Sequence, residues 1–144
     1  MKATRLDPGA LSDPTAMLVD AGLPASDLAE AGRTFFRFDD NGLTGYGGLE
    51  GDGADRLLRS LVVVPDRRRT GAGGTMLGVL EKEAVMLGVG RLHLLTTTAA
   101  EFFKANGYGV ADRLTAPASI TASREFRSLC PASATYLAKT LDPA

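Results

Sequence analysis

The residues best suited to chemistry lie in one run, Val62 to Gly74, which reads VVVPDRRRTGAGG. A β-branched stretch stops at Pro65 and passes through three arginines into a glycine-rich turn. Glycine reaches backbone conformations that let the chain approach a ligand closely. A helix that begins at such a turn has N–H groups without intrahelical acceptors and a partial positive charge, so a phosphate-like anion can sit there. Gly71, Gly73 and Gly74 allow the close approach, and Arg67, Arg68 and Arg69 bring positive charge. The expected chemistry is the cradling of a pyrophosphate. The alternative is a basic helix cap with no ligand.

Two common phosphate loops do not fit this spacing. A nucleoside-triphosphate loop ends in Gly-Lys-Ser/Thr, and Gly73-Gly74-Thr75 has no lysine. A dinucleotide fingerprint needs G-x-G-x-x-G, whereas the order here is Arg68-x-x-Gly71-x-Gly73. Other reactive groups are few. One cysteine, Cys130, and one histidine, His93, exclude an intramolecular disulfide and a cysteine-based zinc cage, and no metal site is expected. With no basic partner beside it, Cys130 reads as a small buried apolar residue. His93 lies in an apolar strand and reads as a packing residue.

Bulk properties narrow the classes. A chain of 144 residues with 44% hydrophobic content suits one domain, residues 1–144. A formal net charge of −1 provides no global field toward nucleic acid or anionic lipid, so neither is an expected partner. The opening MKATRLDPGALSDP lacks the apolar core of a signal peptide, and no stretch approaches the roughly 18 apolar residues of a membrane span. A cytoplasmic location is the expectation.

The elements that must position the loop follow from hydrophobic period. Lys2–Leu6 reads as a short strand, and Asp13-Pro14 starts a helix that Gly22 ends. Ser26 to Ala31 suggests a second short helix. Thr34–Phe38, the turn Asp39-Asp40-Asn41-Gly42, and Leu43–Leu49 predict a hairpin, and Asp55–Val64 a third, buried strand of the meander. From Gly71 the period lengthens to that of a helix, with Met76, Val79, Leu80, Ala84 and Leu87 on one face. Gly88 and Gly90 close it, and Arg91–Thr96 follows as a strand, which implies a right-handed parallel crossover. Ala99–Ala105 reads as helix, Tyr108–Asp112 as strand, Pro117–Leu129 as helix with Arg124, Glu125 and Arg127 exposed, and Ala134–Leu141 as a terminal strand. The sum is an α+β, mixed α/β, sheet of about seven strands layered with helices.

The pattern Val63-x-Pro65-x-x-Arg68-x-x-Gly71-x-Gly73, then Leu92–Leu95, then Phe102-Phe103-Lys104-Ala105-Asn106-Gly107-Tyr108, resembles the Gcn5-related N-acetyltransferase superfamily. The likeness covers nearly the whole chain and is strongest from Leu57 to Tyr108. LLRSLVV, LLTTTAAEFF and EFRSLCPASA are similar to arsenic-resistance-associated N-acetyltransferases, and LLTTTAAEFFKANGY to the acetyltransferase domain of N-acetylglutamate synthases. The resemblance implies an acyl-CoA N-acyltransferase fold, mostly antiparallel with one splayed parallel pair. It implies acetyl-CoA as co-substrate and a small amino-acid-like amine as acceptor, such as arsinothricin or phosphinothricin.

Carried onto this sequence, the resemblance has Val62 and Val64 presenting backbone groups to the acetyl carbonyl and pantetheine, with Val63 also counted among the cofactor-binding residues. Arg68, Arg69, Thr70, Gly71, Ala72, Gly73 and Gly74 would wrap the pyrophosphate, and Phe103 would lie near the thioester. Two positions depart from the commoner pattern. Phe103 stands where many relatives have a proton-donating tyrosine, and Arg59 where a glutamate often serves as base. Glu50 is the remaining candidate base, set against a plain solvated carboxylate. Arg59, with Arg127, is expected to clamp an acceptor's acidic end, against the alternatives of an internal ion pair or a place on an exposed strand face, while Thr96 and Thr97 line the cleft. A protein-amine acetyltransferase and a non-catalytic acyl-CoA sensor stay open as alternatives. Pairing of exposed edge strands into a homodimer is a further expectation from the resemblance.

Overall fold

The period-two alternation of the first half of the chain folds as an antiparallel meander. The computed structural model describes residues 1–23, 25–123, 126–127 and 133–142. In it β1 (Lys2–Arg5), β2 (Arg33–Asp39), β3 (Leu43–Glu50) and β4 (Asp55–Val63) pair in sequence order. The β2–β3 turn forms where Asn41 and Gly42 adopt φ of 55° and 114°, the left-handed region that an Asn-Gly pair tolerates. Helix α1 (Ser12–Asp20) interrupts the meander between β1 and β2.

Helix α2 (Ala72–Met86) buries Met76, Leu77, Leu80 and Ala84 and delivers the chain to β5 (Arg91–Thr96), parallel to β4. Then come α3 (Ala100–Ala105), β6 (Gly109–Val110), α4 (Ala118–Thr121) and β7 (Thr135–Thr140). Strand β7 inserts between β5 and β6, antiparallel to both, giving the order β1-β2-β3-β4-β5-β7-β6. This is the mixed α+β sheet that the pattern of elements predicts. One face packs Phe36, Phe38, Leu58, Leu92 and Leu137 against α2, and the other packs Phe35, Tyr46 and Val62 against Leu18 of α1.

Strand β3 lets α2 approach closely. A Cβ on Gly45 would lie 2.1 Å from the Val62 carbonyl oxygen and 2.8 Å from Met76 Cε, so only glycine fits there. Strands β4 and β5 pair only from Asp55↔Arg91 to Leu57↔His93, and beyond that rung they part. The bend arises within β4. Tyr46 faces Val62 and Gly48 faces Arg59, so Ser60 and Leu61 together oppose Gly47. This is a β-bulge, and Ser60 takes φ 60° within it. The extra residue shifts the alternation by one. Leu58 packs on the α2 side, and after the bulge Leu61 and Val63 do, while Val62 turns to the α1 side.

Three expected elements differ. Ser26–Ala31 is a series of turns, with Glu30 N–H donating to the Asp27 carbonyl at 3.1 Å, while the Asp27 side chain accepts from Arg59 and Arg33. The strand expected over Tyr108–Asp112 is only Gly109–Val110. Of the helix expected over Pro117–Leu129, Ala118–Thr121 is a regular α-helix, while Arg124, Glu125 and Cys130 lie outside the described residues. No described helix is long and apolar enough to cross a membrane.

Candidate active site

The parting of β4 from β5 opens a cleft of about 890 Å³. Ser60, Val62 and Val63 form one wall, Leu95, Thr96 and Thr97 the other, and Phe102, Phe103 and Gly73 close the α2 end. Residues Ala21, Gly22 and Leu23, after α1, line the opposite side.

Which backbone groups face the cleft follows from strand alternation. Val64 N–H donates to the Thr44 carbonyl at 2.9 Å, so Val64 and Val62 direct their backbone groups toward β3. Val63, between them, directs its N–H and C=O to the parted edge. Its carbonyl accepts from Arg68 Nε at 2.9 Å, which leaves the N–H facing the cleft. This corrects the expectation for Val62 and Val64. Val62 lines the cleft, Val64 is outside its lining, and Val63 is the residue whose amide points inward.

The loop after β4 is built as a cradle. A 3-10 turn at Pro65–Arg67 reverses the chain, Arg69 takes φ 64°, and Gly71 caps α2 at φ 84°. No side chain caps α2, and the first backward bond within it is Thr75 N–H to the Gly71 carbonyl at 3.3 Å. The N–H groups of Ala72, Gly73 and Gly74 therefore have no intrahelical acceptor. A Cβ on Gly73 would lie 3.3 Å from Phe102 and 3.6 Å from Val63, so a side chain there would fill the gap beside the cleft. Bare amides, a helix start and exposed Arg68 and Arg69 fit a diphosphate. Arg67 plays a different part. Its guanidinium donates to the carbonyls of Asp40 at 2.6 Å and Asn41 at 3.0 Å, tying the loop to the β2–β3 hairpin.

Phe103 lies in the cleft wall, edge-on to Phe102 and Tyr108. Tyr108 does not replace the missing phenol, because its hydroxyl donates to Glu81 at 2.9 Å. Burial, then the Glu81 charge and hydrogen bond, push its pKa far above the usual tyrosine value. Thr96 and Thr97 line the cleft as expected, with Thr96 Oγ1 accepting from Ala99 N–H at 3.0 Å. Arg127 is exposed and is not in the cleft lining.

Arg59 corrects a second expectation. It lines the cleft, but its guanidinium donates to Asp27 Oδ2 at 2.5 Å and Oδ1 at 2.6 Å, and to Glu50 Oε1 at 2.9 Å. It is an internal ion pair, not an open clamp. Glu50 in turn is held between Arg59 and Arg33, with Arg33 Nη2 at 3.6 Å, and does not line the cleft, so it is neither a solvated carboxylate nor placed as a base. His93 is fully buried, bonded to Tyr136 Oη through Nδ1 at 2.6 Å and to Asp55 through Nε2 at 2.7 Å. Sequence reasoning missed Asp27 and Ser60. Asp27 lies in a short polar segment far along the chain from Arg59, and the Ser60 bulge leaves no turn residue in the strand run from Leu57 to Val64 to mark it.

A parallel strand pair splayed above an uncapped glycine-rich helix start is the frame of an acyl-CoA-binding N-acyltransferase, as the sequence resemblance implies. A match to the acetyltransferase (GNAT) domain family spans residues 30–110, more than half of the chain, and the chain belongs to that family. No curated protein matches it significantly. Among solved structures it is similar to N-acetylglutamate synthase from Neisseria gonorrhoeae complexed with coenzyme A and L-arginine, with TM-score 0.76 and 19% identity. That match covers 97% of this chain and 33% of the synthase, so the chain spans about a third of that protein. Tetrahymena GCN5 superposes with TM-score 0.75 at 12% identity, covering 100% of this chain and 98% of GCN5. The aminoglycoside 6'-N-acetyltransferase from Enterococcus faecium gives 0.69 at 19% identity, covering 100% and 99%. At these identities the likeness establishes the fold.

Proposed function

We propose that the protein acetylates a small amine by direct attack on acetyl-CoA, with both substrates bound at once. The observation that carries this reading is the splayed β4–β5 cleft ending at the bare amides of Gly71 to Gly74. Acetyl-CoA supplies the activated acetyl group. Those amides, with Arg68 and Arg69, hold the diphosphate, Phe102 and Phe103 wall the thioester end, and Thr96 and Thr97 flank the acceptor. The Val63 N–H meets negative charge as it develops on the carbonyl oxygen. Aligning the reactants removes much of the entropic barrier of a bimolecular encounter.

Among the described residues lining the cleft there is no carboxylate, imidazole or phenol. The acceptor's amine therefore loses its ammonium proton to solvent before attack; as the C–N bond forms and the C–S bond breaks, the nitrogen sheds a second proton, which solvent passes to the leaving thiolate. An amino-acid-like acceptor, including the toxic arsenic and phosphinate analogues, is supported by the sequence resemblance but needs a seat for its acid group. Asp27 fills the one Arg59 would give. The sheet edges β1 and β6 favour pairing of two copies, which light scattering at micromolar concentration tests.

The decisive assay is thiol release from acetyl-CoA with aliphatic, aromatic and imidazole amines, peptides and amino acids as acceptors. Amine-dependent release supports the reading. Tight CoA binding without release for any acceptor would replace it with a non-catalytic acyl-CoA sensor.

A further inference from the structure

The acceptor end of the cleft has a charge problem already solved from within. Arg59 reaches the lining with its donors taken up. Asp27 receives Nη1 and Nη2 through its two carboxylate oxygens at 2.5 and 2.6 Å, Glu50 shares Nη1 at 2.9 Å, and Nε donates to Ser60 Oγ at 3.1 Å. The Arg59 and Asp27 side chains are both fully buried. Paired oxygens on a planar guanidinium are the geometry by which arginine binds a ligand's carboxylate. Asp27 thus occupies the seat that an acidic acceptor would need. Arg33, at 2.7 Å from Asp27 and 3.6 Å from Glu50, joins both carboxylates from a second side, with Glu30 at 3.9 Å on its outer face.

The rest of the described lining offers no substitute. Arg68 is the other charged lining residue, and it belongs to the diphosphate cradle. Toward the acceptor the wall is Ala21, Leu23, Leu61 and Leu95, with the hydroxyls of Ser60 and Thr97. A carboxylate brought here would lose water without gaining a cation, at large cost.

Resting on the acetyltransferase reading above, we infer that Asp27 is a specificity-determining residue. By holding Arg59 it selects amines that carry no carboxylate over their amino-acid counterparts. The chemical class is an alkyl- or arylamine.

Matched pairs test this: tyramine against tyrosine, tryptamine against tryptophan, histamine against histidine, with each amino-acid methyl ester as a control for bulk. The full-length wild-type protein should show kcat/KM higher for the amine by about a hundredfold or more, since a desolvated unpaired group is rejected strongly. The esters should recover most of that difference. Asp27→Ala should narrow the ratio by accepting tyrosine, and Asp27→Asn should narrow it less. A merely structural Asp27 would lower both members of a pair equally. Equal turnover of amine and amino acid by the wild-type protein overturns the inference and leaves the acetyltransferase reading intact. Thiol release with none of these acceptors, despite CoA binding, overturns both.

Discussion

Asp27 keeps its negative charge in the interior because two guanidiniums meet it there. Burial alone would raise its carboxyl pKa, but hydrogen bonds from Arg59 and Arg33, with their charges, outweigh that and bring it from 3.8 down to about 2. The folded value lies below the unfolded one. Ionised Asp27 therefore stabilises the fold above about pH 4, and that contribution is lost as the pH falls toward 2. The melting temperature of the wild-type protein should drop more steeply between pH 4 and 2 than that of Asp27→Asn, and parallel slopes would contradict this. Arg59→Met, which leaves two buried carboxylates to share Arg33 alone, should cost roughly 3 kcal/mol in urea unfolding at pH 7. The glycines and arginines of the cradle are legible in sequence because their chemistry is local. Arg59 is not, because its meaning depends on a partner 32 positions away. Gly73→Val puts a side chain between Phe102 and Val63, and CoA affinity by calorimetry should fall about tenfold or more, by some 1.4 kcal/mol, while the melting temperature stays near wild type.

At the scale of elements, the meander, the Asn-Gly hairpin and the crossover through α2 could be read from period and turn chemistry alone. The bulge could not. In the run from Leu57 to Val64 every residue suits a strand, and only the pairing with glycine-rich β3 forces Ser60 and Leu61 to share one partner. Yet the bulge sets the site, since it bends β4 away from β5 and leaves Val63 N–H facing the cleft. The short helix expected over Ser26–Ala31 failed for a related reason. Its caps are favourable locally, but Asp27 is drawn into the sheet by Arg59 and Arg33, and a turn satisfies that better. The close packing of α2 on β3 gives a direct test. Gly45→Ala places a methyl group against the Val62 carbonyl and Met76, and should destabilise the fold by roughly 3 kcal/mol or shift α2 measurably. Unchanged urea stability would show that β3 and α2 are farther apart than described.

Taken as a whole, the molecule is a clamp whose floor is the sheet and whose open end lies where β4 and β5 diverge. It provides positions and dipoles for acetyl transfer but, among its described cleft residues, no proton-transfer group. The pH dependence should then belong to the acceptor. kcat/KM should rise with pH in proportion to the free-base fraction of the amine, and acceptors of lower pKa should shift the profile down by their own difference. A plateau at one fixed pH for every acceptor would point to an enzyme base instead. The claim on which the rest depends is that coenzyme A docks its diphosphate at the start of α2. Amide NMR of the protein titrated with CoA measures this directly. The resonances of Gly71, Ala72, Gly73, Gly74 and Val63 should move together and saturate. Saturating shifts confined to other surfaces, or none at all, would contradict the account.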